Sequence, residues 1–198
     1  EEPRTRTVYV KHIIGYPFGM ITGYVQKTDD QGNLVFESNG SPVRSDVYEI
    51  LGNGVAKFTG GMNNSITWKR LRLDALLDFK AGGDIYSGTN VNLTSWGLHK
   101  QTIPNREGGK VVKGVTQTGT NPDGSPIYEP FSLELNQENF RKYWGNLAAR
   151  AQENFMYDAS FIKLRQVWLE YSLPAKILTK TPFSNLAVSF VGRNLAIL

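Results

Sequence analysis

The stretch DASFIKLRQVWLEYSLP, Asp158 to Pro174, decides the fold. It is rich in the β-branched and aromatic residues that suit a pleated surface, and a proline closes it. Val167, Leu169 and Tyr171 share one parity. Gln166 and Glu170 fall on the other, with Ile162, Leu164 and Trp168. Lys163 and Arg165 precede Val167 on the first parity, so one face runs from charge to bare apolar side chains. A strand that passes from a membrane rim into hydrocarbon needs that order, and a strand of a soluble sheet does not. After a turn region at Pro174 to Ser184, with a short helix expected at 175–179, Leu186, Val188 and Phe190 alternate with Ala187, Ser189 and Val191. That alternation predicts a return strand running up to Gly192-Arg193-Asn194.

The same period of two appears upstream. Phe58, Met62, Ile66 and Trp68 share a parity, with Gly60 and Asn64 between them. Trp68-Lys69-Arg70 leaves room for only a short turn. Leu71, Leu73, Ala75, Leu77 and Phe79 then point one way, while Arg72, Asp74 and Asp78 point the other, with Leu76 among them. Runs of about 9–11 residues are what a tilted transmembrane strand needs. The fold class expected is all-β: antiparallel strands of a transmembrane β-barrel, with long extracellular loops containing short helices. Strands are placed at 57–67, 71–79, 159–172 and 185–197, within a barrel region 57–198. Residues 1–56 are expected to form a β-rich extracellular loop region, and 80–158 one long extracellular loop.

Composition agrees with this and removes other classes. The 198 residues have 40% hydrophobic content, and no apolar run approaches the ~20 residues of a spanning helix. The mean hydropathy of -0.34 does not argue against a barrel, whose strands alternate lipid-facing and lumen-facing side chains. There is no cysteine, so disulfides, zinc–thiolate sites and thiol catalysis are excluded. Only His12 and His99 are available for imidazole chemistry. The net charge of +4 comes from scattered lysines and arginines, with no basic block of the kind nucleic acid requires. Glu1-Glu2-Pro3-Arg4 and the apolar Leu195-Ala196-Ile197-Leu198 read as the two ends of an internal fragment.

The remaining segments read as loops with local structure. Thr7–Ile14 and Met20–Lys27 are candidate strands, and Asp29-Asp30-Gln31-Gly32-Asn33 is a turn. Asp29, Asp30 and Asn33 offer too few ligands for a calcium loop. A short helix is expected within Thr89–Leu98, turns at Asn105–Gly109 and Gly119–Pro126, and one or two helical turns within Asn136–Arg150.

Four blocks resemble one family. Leu51-Gly52-Asn53 with Gly60-Gly61, Asn64 and Trp68-Lys69 resembles its "LGNPxP…GG…N…YK" hairpin, and Gly82-Gly83-Asp84-Ile85-Tyr86 its "GGDIY". Tyr157 to Pro174 resembles "YDASFxKLRxxxLxYxLP", and Gly192-Arg193-Asn194-Leu195 resembles "GRNL". In that order the chain looks like the C-terminal barrel region of the SusC/RagA family, the TonB-linked outer-membrane transporters of Bacteroidota. Gly54-Val55-Ala56 stands where the family has Pro-x-Pro, and Trp68 where it has Tyr. The resemblance implies a plugged single-chain barrel in the cell outer membrane, energised by the TonB complex through parts outside this chain. It also implies a SusD-like surface lipoprotein as partner and glycan fragments or peptides as substrate.

A transporter needs no chemistry on its cargo, so no catalytic residue, metal ligand set or cofactor is expected. Trp96, Tyr143, Trp144 and Tyr157 are the candidates for substrate or partner contact, since aromatic faces stack on sugars and pack at interfaces. For Trp144, the helical spacing with Phe140 and Leu147 favours a place in the loop's own small core. Arg72, Asp74 and Asp78 are expected to face the lumen. Lys163 and Arg165 are candidates for lipid contact at the outer rim, or for pairing with neighbouring loops. The rival readings are a soluble β-rich glycan-binding module and a secreted glycoside hydrolase domain. The first would hide most apolar strand faces between two sheets, and the second would show a cleft with convergent carboxylates.

Overall fold

The computed structural model describes residues 7–198; the expectation for Glu1–Arg4 lies outside them. Strands β1 (Val8–Lys11), β2 (Met20–Gly23) and β3 (Glu49–Asn53) come first, followed by the long strands β4 (Phe58–Trp68) and β5 (Leu71–Ala81). Then come β6 (Asp84–Tyr86), helix α1 (Gly88–Ser95), strands β7 (Val111–Thr120) and β8 (Pro126–Glu134), and helix α2 (Gln137–Arg150). The chain closes with β9 (Met156–Asp158), β10 (Phe161–Ser172), the short α3 (Ala175–Leu178) and β11 (Ala187–Ile197). All pairings between these strands whose register is given are antiparallel, with helices between them, an all-β class of sheet. No helix among the described residues is long and apolar enough to cross a membrane, which says nothing of crossing by strands.

The chain divides into two compact units. One comprises residues 56–83 and 158–198 and holds a four-stranded sheet in the order β11-β10-β5-β4. The other joins 7–55 to 84–157. The two segments that the sequence presents as separate loop regions therefore fold together.

In the second unit, β1-β2-β3 form one sheet and β7-β8 a long hairpin. That hairpin interrupts a stretch in which the sequence shows no sustained period. Its alternation is broken by a register shift between Gln117 and Gly119, and Pro126 and Pro130 both lie within β8. Proline is tolerated there because β8 pairs only with β7 and its other edge carries no ladder. Helix α2 is longer than the one or two turns expected. The Asn136 side chain caps it by accepting from Asn139 N at 2.8 Å, and Phe140, Trp144 and Leu147 repeat along one face.

That face supplies the core. Phe140, Trp144, Leu147 and Ala151 pack with Phe36, Val112 and Leu135, with Phe131, Leu133 and Tyr143 around them. Beside that face, Ala148 meets Val91 of α1 and Phe155, with Tyr86 against them. Polar contacts pin the first loop to α2: Arg150 Nη1 donates to Glu37 Oε1 at 2.6 Å and to the Pro42 carbonyl at 3.0 Å, and Asn146 Nδ2 donates to Ser41 Oγ at 2.8 Å. Gln152, fully buried, donates its backbone N–H to the Tyr24 carbonyl and its Nε2 to the Ala148 carbonyl, and accepts from the Tyr86 hydroxyl. Phe155 is 0% exposed. Phe155→Ala is expected to cost about 3–5 kcal/mol through the cavity it leaves. Limited proteolysis of the whole protein checks this: cleavage within 84–157 should accelerate while that within 56–83 does not.

Candidate functional site

The four-stranded sheet has two chemically distinct faces, set by its register. On the first, the cross-strand rows read Trp68–Leu71–Tyr171–Val188, then Ile66–Leu73–Leu169–Phe190, Asn64–Ala75–Val167–Gly192 and Met62–Leu77–Leu164–Ala196. On the second they read Thr67–Arg72–Glu170–Ser189, Ser65–Asp74–Trp168–Val191, Asn63–Leu76–Gln166–Arg193 and Gly61–Asp78–Lys163–Ile197. The first face is almost wholly apolar and its large side chains are exposed: Ile66 is 64% exposed, Leu73 39%, Leu169 40% and Phe190 76%. Side chains of this kind would be buried in a sandwich.

A bulge corrects the sequence reading of β10. The register slips between Leu164 and Gln166 against both neighbours, leaving Arg165 as an extra residue against β5. Asn194, at φ 53°, lies in the matching irregularity of β11, a left-handed conformation that asparagine tolerates. One inserted residue flips every side chain that precedes it. Lys163 and Arg165 therefore do not share a face with Val167, Leu169 and Tyr171. Lys163 lies opposite Asp78, and Arg165 Nη1 pairs with Asp78 Oδ2 at 2.6 Å. Ile162 and Leu164, assigned by parity to the charged side, instead fall in line with Phe79 and Leu77 on the apolar one.

Arg72, Asp74 and Asp78 lie together on the polar face. Arg72 Nε donates to Asp74 Oδ2 at 2.8 Å and its Nη2 to Oδ1 at 3.1 Å, a bidentate pair along one strand. These charges are matched to one another, which an apolar face could not accommodate.

In the other unit, the four aromatic candidates separate. Trp144 is buried among Phe140, Leu147 and Phe36, in the core that its helical spacing favours, and so it is not a surface contact for substrate or partner. Tyr143 is half-buried beside it, its ring edge-on to Trp144 at 5.1 Å between centroids. Lys110 lies 4.8 Å from the Tyr143 ring and 4.9 Å from that of Trp144, and burial holds its ammonium below the usual lysine range. Trp96 stands 78% exposed at the end of α1, and Tyr157 is exposed with its hydroxyl accepting from Asn90 Nδ2 at 2.9 Å. The segment under Trp96 is braced. Arg106 donates to the Gly97 and Thr102 carbonyls and to Thr102 Oγ1, while Gln101 Nε2 donates to Thr94 Oγ1 at 2.8 Å.

Two surface features escape a reading by motif. Tyr24 stacks on Tyr48 at 4.3 Å and Tyr9 meets Tyr48 edge-on at 5.3 Å, with Arg44 4.2 Å from Tyr24 and Lys11 4.7 Å from Tyr48. Burial, with hydrogen bonds to Tyr9 and Tyr24, pushes the Tyr48 hydroxyl up to about 12. A concavity of about 370 Å³ lies beside Asp29, Asp30, Asn33, Val115, Tyr128 and Pro130. Asp29 is not free to hold a cation there. Its Oδ2 accepts from Asn33 Nδ2, and its Oδ1 from the backbone N–H groups of Gln31 and Asn33, which holds the carboxyl below its usual range.

No protein-family model matches the chain. Among curated proteins it is 25% identical over 183 residues to TonB-dependent receptor P3 of Formosa agariphila, covering 91% of this chain and 16% of that protein. It is 26% identical over 158 residues to TonB-dependent receptor P39 of the same organism, covering 78% of this chain and 14% of that one. The chain thus spans less than a fifth of the length of these relatives. Among solved structures, that of the RagAB peptide transporter superposes with a TM-score of 0.53 at 18% identity, over 99% of this chain and 20% of that one. The RagAB peptide importer in its open-open state gives 0.53 at 16% identity, over 97% and 20%. An open antiparallel sheet with one bare apolar face, a shared fold and sequence matches along nearly the whole length agree: the chain is similar to a stretch of TonB-dependent receptors and shares its fold with part of the RagAB transporter.

Proposed function

We propose that the whole protein is a barrel transporter that imports oligomeric nutrients, glycan fragments or peptides, together with a SusD-like surface lipoprotein and with energy supplied through TonB. In this reading β4, β5, β10 and β11 are four transmembrane strands. Their apolar face meets lipid, and Arg72, Asp74 and Asp78 face the lumen. The unit formed by 7–55 and 84–157 is extracellular, and Trp96, Tyr157 and the half-buried Tyr143 are its contacts with substrate or partner. The observation that carries the reading is the exposed, almost wholly apolar face of a sheet whose other face carries the ion pairs Arg72–Asp74 and Arg165–Asp78. Water does not favour such a face, and lipid does. A glycan-binding module or a hydrolase domain would cover it.

The test uses the full-length protein. Cells lacking it should lose uptake of an oligomeric nutrient while still taking up its monomer, and the protein should fractionate with the outer membrane. Equal uptake of oligomer and monomer after deletion would overturn the transport reading. Trp96→Ala should lower oligomer uptake about tenfold, the scale of one aromatic contact worth 1–2 kcal/mol, with unchanged outer-membrane abundance. Unaltered uptake would remove Trp96 from the site.

A further inference from the structure

One end of the four-stranded sheet carries charge of a single sign. The β4–β5 turn consists of Lys69 and Arg70, and the β10–β11 connection from Leu173 to Leu186 contains Lys176 and Lys180 and no Asp or Glu. The two turns are neighbours, since Ser172 N donates to the Arg70 carbonyl at 2.9 Å and Leu173 N to the Leu186 carbonyl at 2.8 Å. All four cations are exposed, and none has an acidic partner among the described residues. Farther along the strands the cations Arg72 and Arg165 are paired with carboxylates.

Directly inside this cationic end runs the row Trp68–Leu71–Tyr171–Val188 on the apolar face. Trp68 is 66% exposed and Tyr171 47%, and Lys69 Nζ lies 4.8 Å from the Trp68 ring. Ile177 and Phe183 of the second turn are exposed beside its lysines. Aromatic rings with an apolar body and a polar edge settle at the headgroup level, and lysine and arginine stems reach outward from there. A neutral headgroup layer would leave four neighbouring cations repelling one another, whereas an anionic one neutralises them.

We infer that this end of the sheet is a docking surface for anionic phospholipid headgroups, with Lys69, Arg70, Lys176 and Lys180 holding the phosphates and Trp68 and Tyr171 setting the depth. The inference rests on the apolar face meeting lipid. It concerns the leaflet that the tight turns reach, not the rim at the opposite end.

The experiment reconstitutes the full-length protein in nanodiscs of phosphatidylcholine with phosphatidylglycerol, or with lipid A, and measures by native mass spectrometry the lipid retained. Wild type should retain phosphatidylglycerol over phosphatidylcholine. The variant K69Q/R70Q/K176Q/K180Q should lose at least about tenfold of that preference, as expected for several surface cations on an anionic layer. The charge-conserving K69R/R70K/K176R/K180R should keep it. Both variants are checked for the heat-modifiable migration of a folded barrel. Equal phosphatidylglycerol retention by the neutralised variant overturns the inference. So does a loss confined to lipid A, which would place this end in the other leaflet. Failure of wild type to insert into the discs overturns the membrane reading itself and is distinct from either.

Discussion

Leu73→Arg combined with Leu169→Arg is expected to abolish outer-membrane assembly of the full-length protein. The two residues are direct partners on β5 and β10, in the row Ile66–Leu73–Leu169–Phe190. An arginine on a lipid-facing strand costs about 2–4 kcal/mol near the bilayer midplane. Two side by side also repel, and neither has a carboxylate on its own face, because Asp74 and Glu170 point the other way. Ser65→Arg is the control: it lies opposite Asp74 on the polar face and should leave assembly intact. The readouts are the abundance of the protein in the outer-membrane fraction and its heat-modifiable migration. Normal assembly of the double variant would show that the apolar face does not meet lipid, and the barrel reading would fall with it.

Gly114→Val should uncouple the first loop from the β7–β8 hairpin. Val115 N donates to the Leu34 carbonyl at 2.9 Å, and Phe36 N to the Val115 carbonyl at 2.8 Å. These bonds dock residues 34–36 alongside β7 as a parallel bridge, Val35 to Val115. A Cβ at position 114 would fall inside the van der Waals shell of the Leu34 carbonyl oxygen and 2.9 Å from Phe36 Cε2. The oxygen belongs to the backbone and cannot swing aside. Overpacking of about 1–3 kcal/mol and two lost hydrogen bonds of about 1 kcal/mol each give roughly 3 kcal/mol or more. Hydrogen exchange on the whole protein should show the Phe36 and Val115 amides losing protection, while those of β5 and β10 keep theirs. Unchanged protection at Phe36 and Val115 would refute the prediction.

The two variants probe parts of the molecule that differ in how far they can be read from residues alone. The alternation of Leu71 through Phe79 needs only the pleat of a strand to become two faces, and β5 spans it. The cap at Asn136 and the 140/144/147 spacing likewise name a helix from local chemistry, although α2 runs the full 14 residues Gln137–Arg150. Gly114 carries no such mark. Its φ is not left-handed, and its need for a bare Cα comes from a carbonyl eighty residues away in sequence, at Leu34. The aromatic candidates divide for the same reason. A ring at Trp96 and a ring at Trp144 look alike in sequence, and only the packing of α2 decides that one is solvent-exposed and the other core.

The sequence by itself determined the class of sheet, its two-faced strands and the family they resemble, because period and turn chemistry are local properties of the chain. Tertiary structure alone decided three things. It brought 7–55 and 84–157 into one unit, which depends on contacts between residues far apart in the chain. It selected the buried aromatics. It also moved Lys163 and Arg165 to the polar side, because one bulged residue between Leu164 and Gln166 inverts a parity that residue counting takes as continuous. Within DASFIKLRQVWLEYSLP, Lys163 and Arg165 therefore face Asp78, while Ile162, Leu164, Val167, Leu169 and Tyr171 lie on the opposite face.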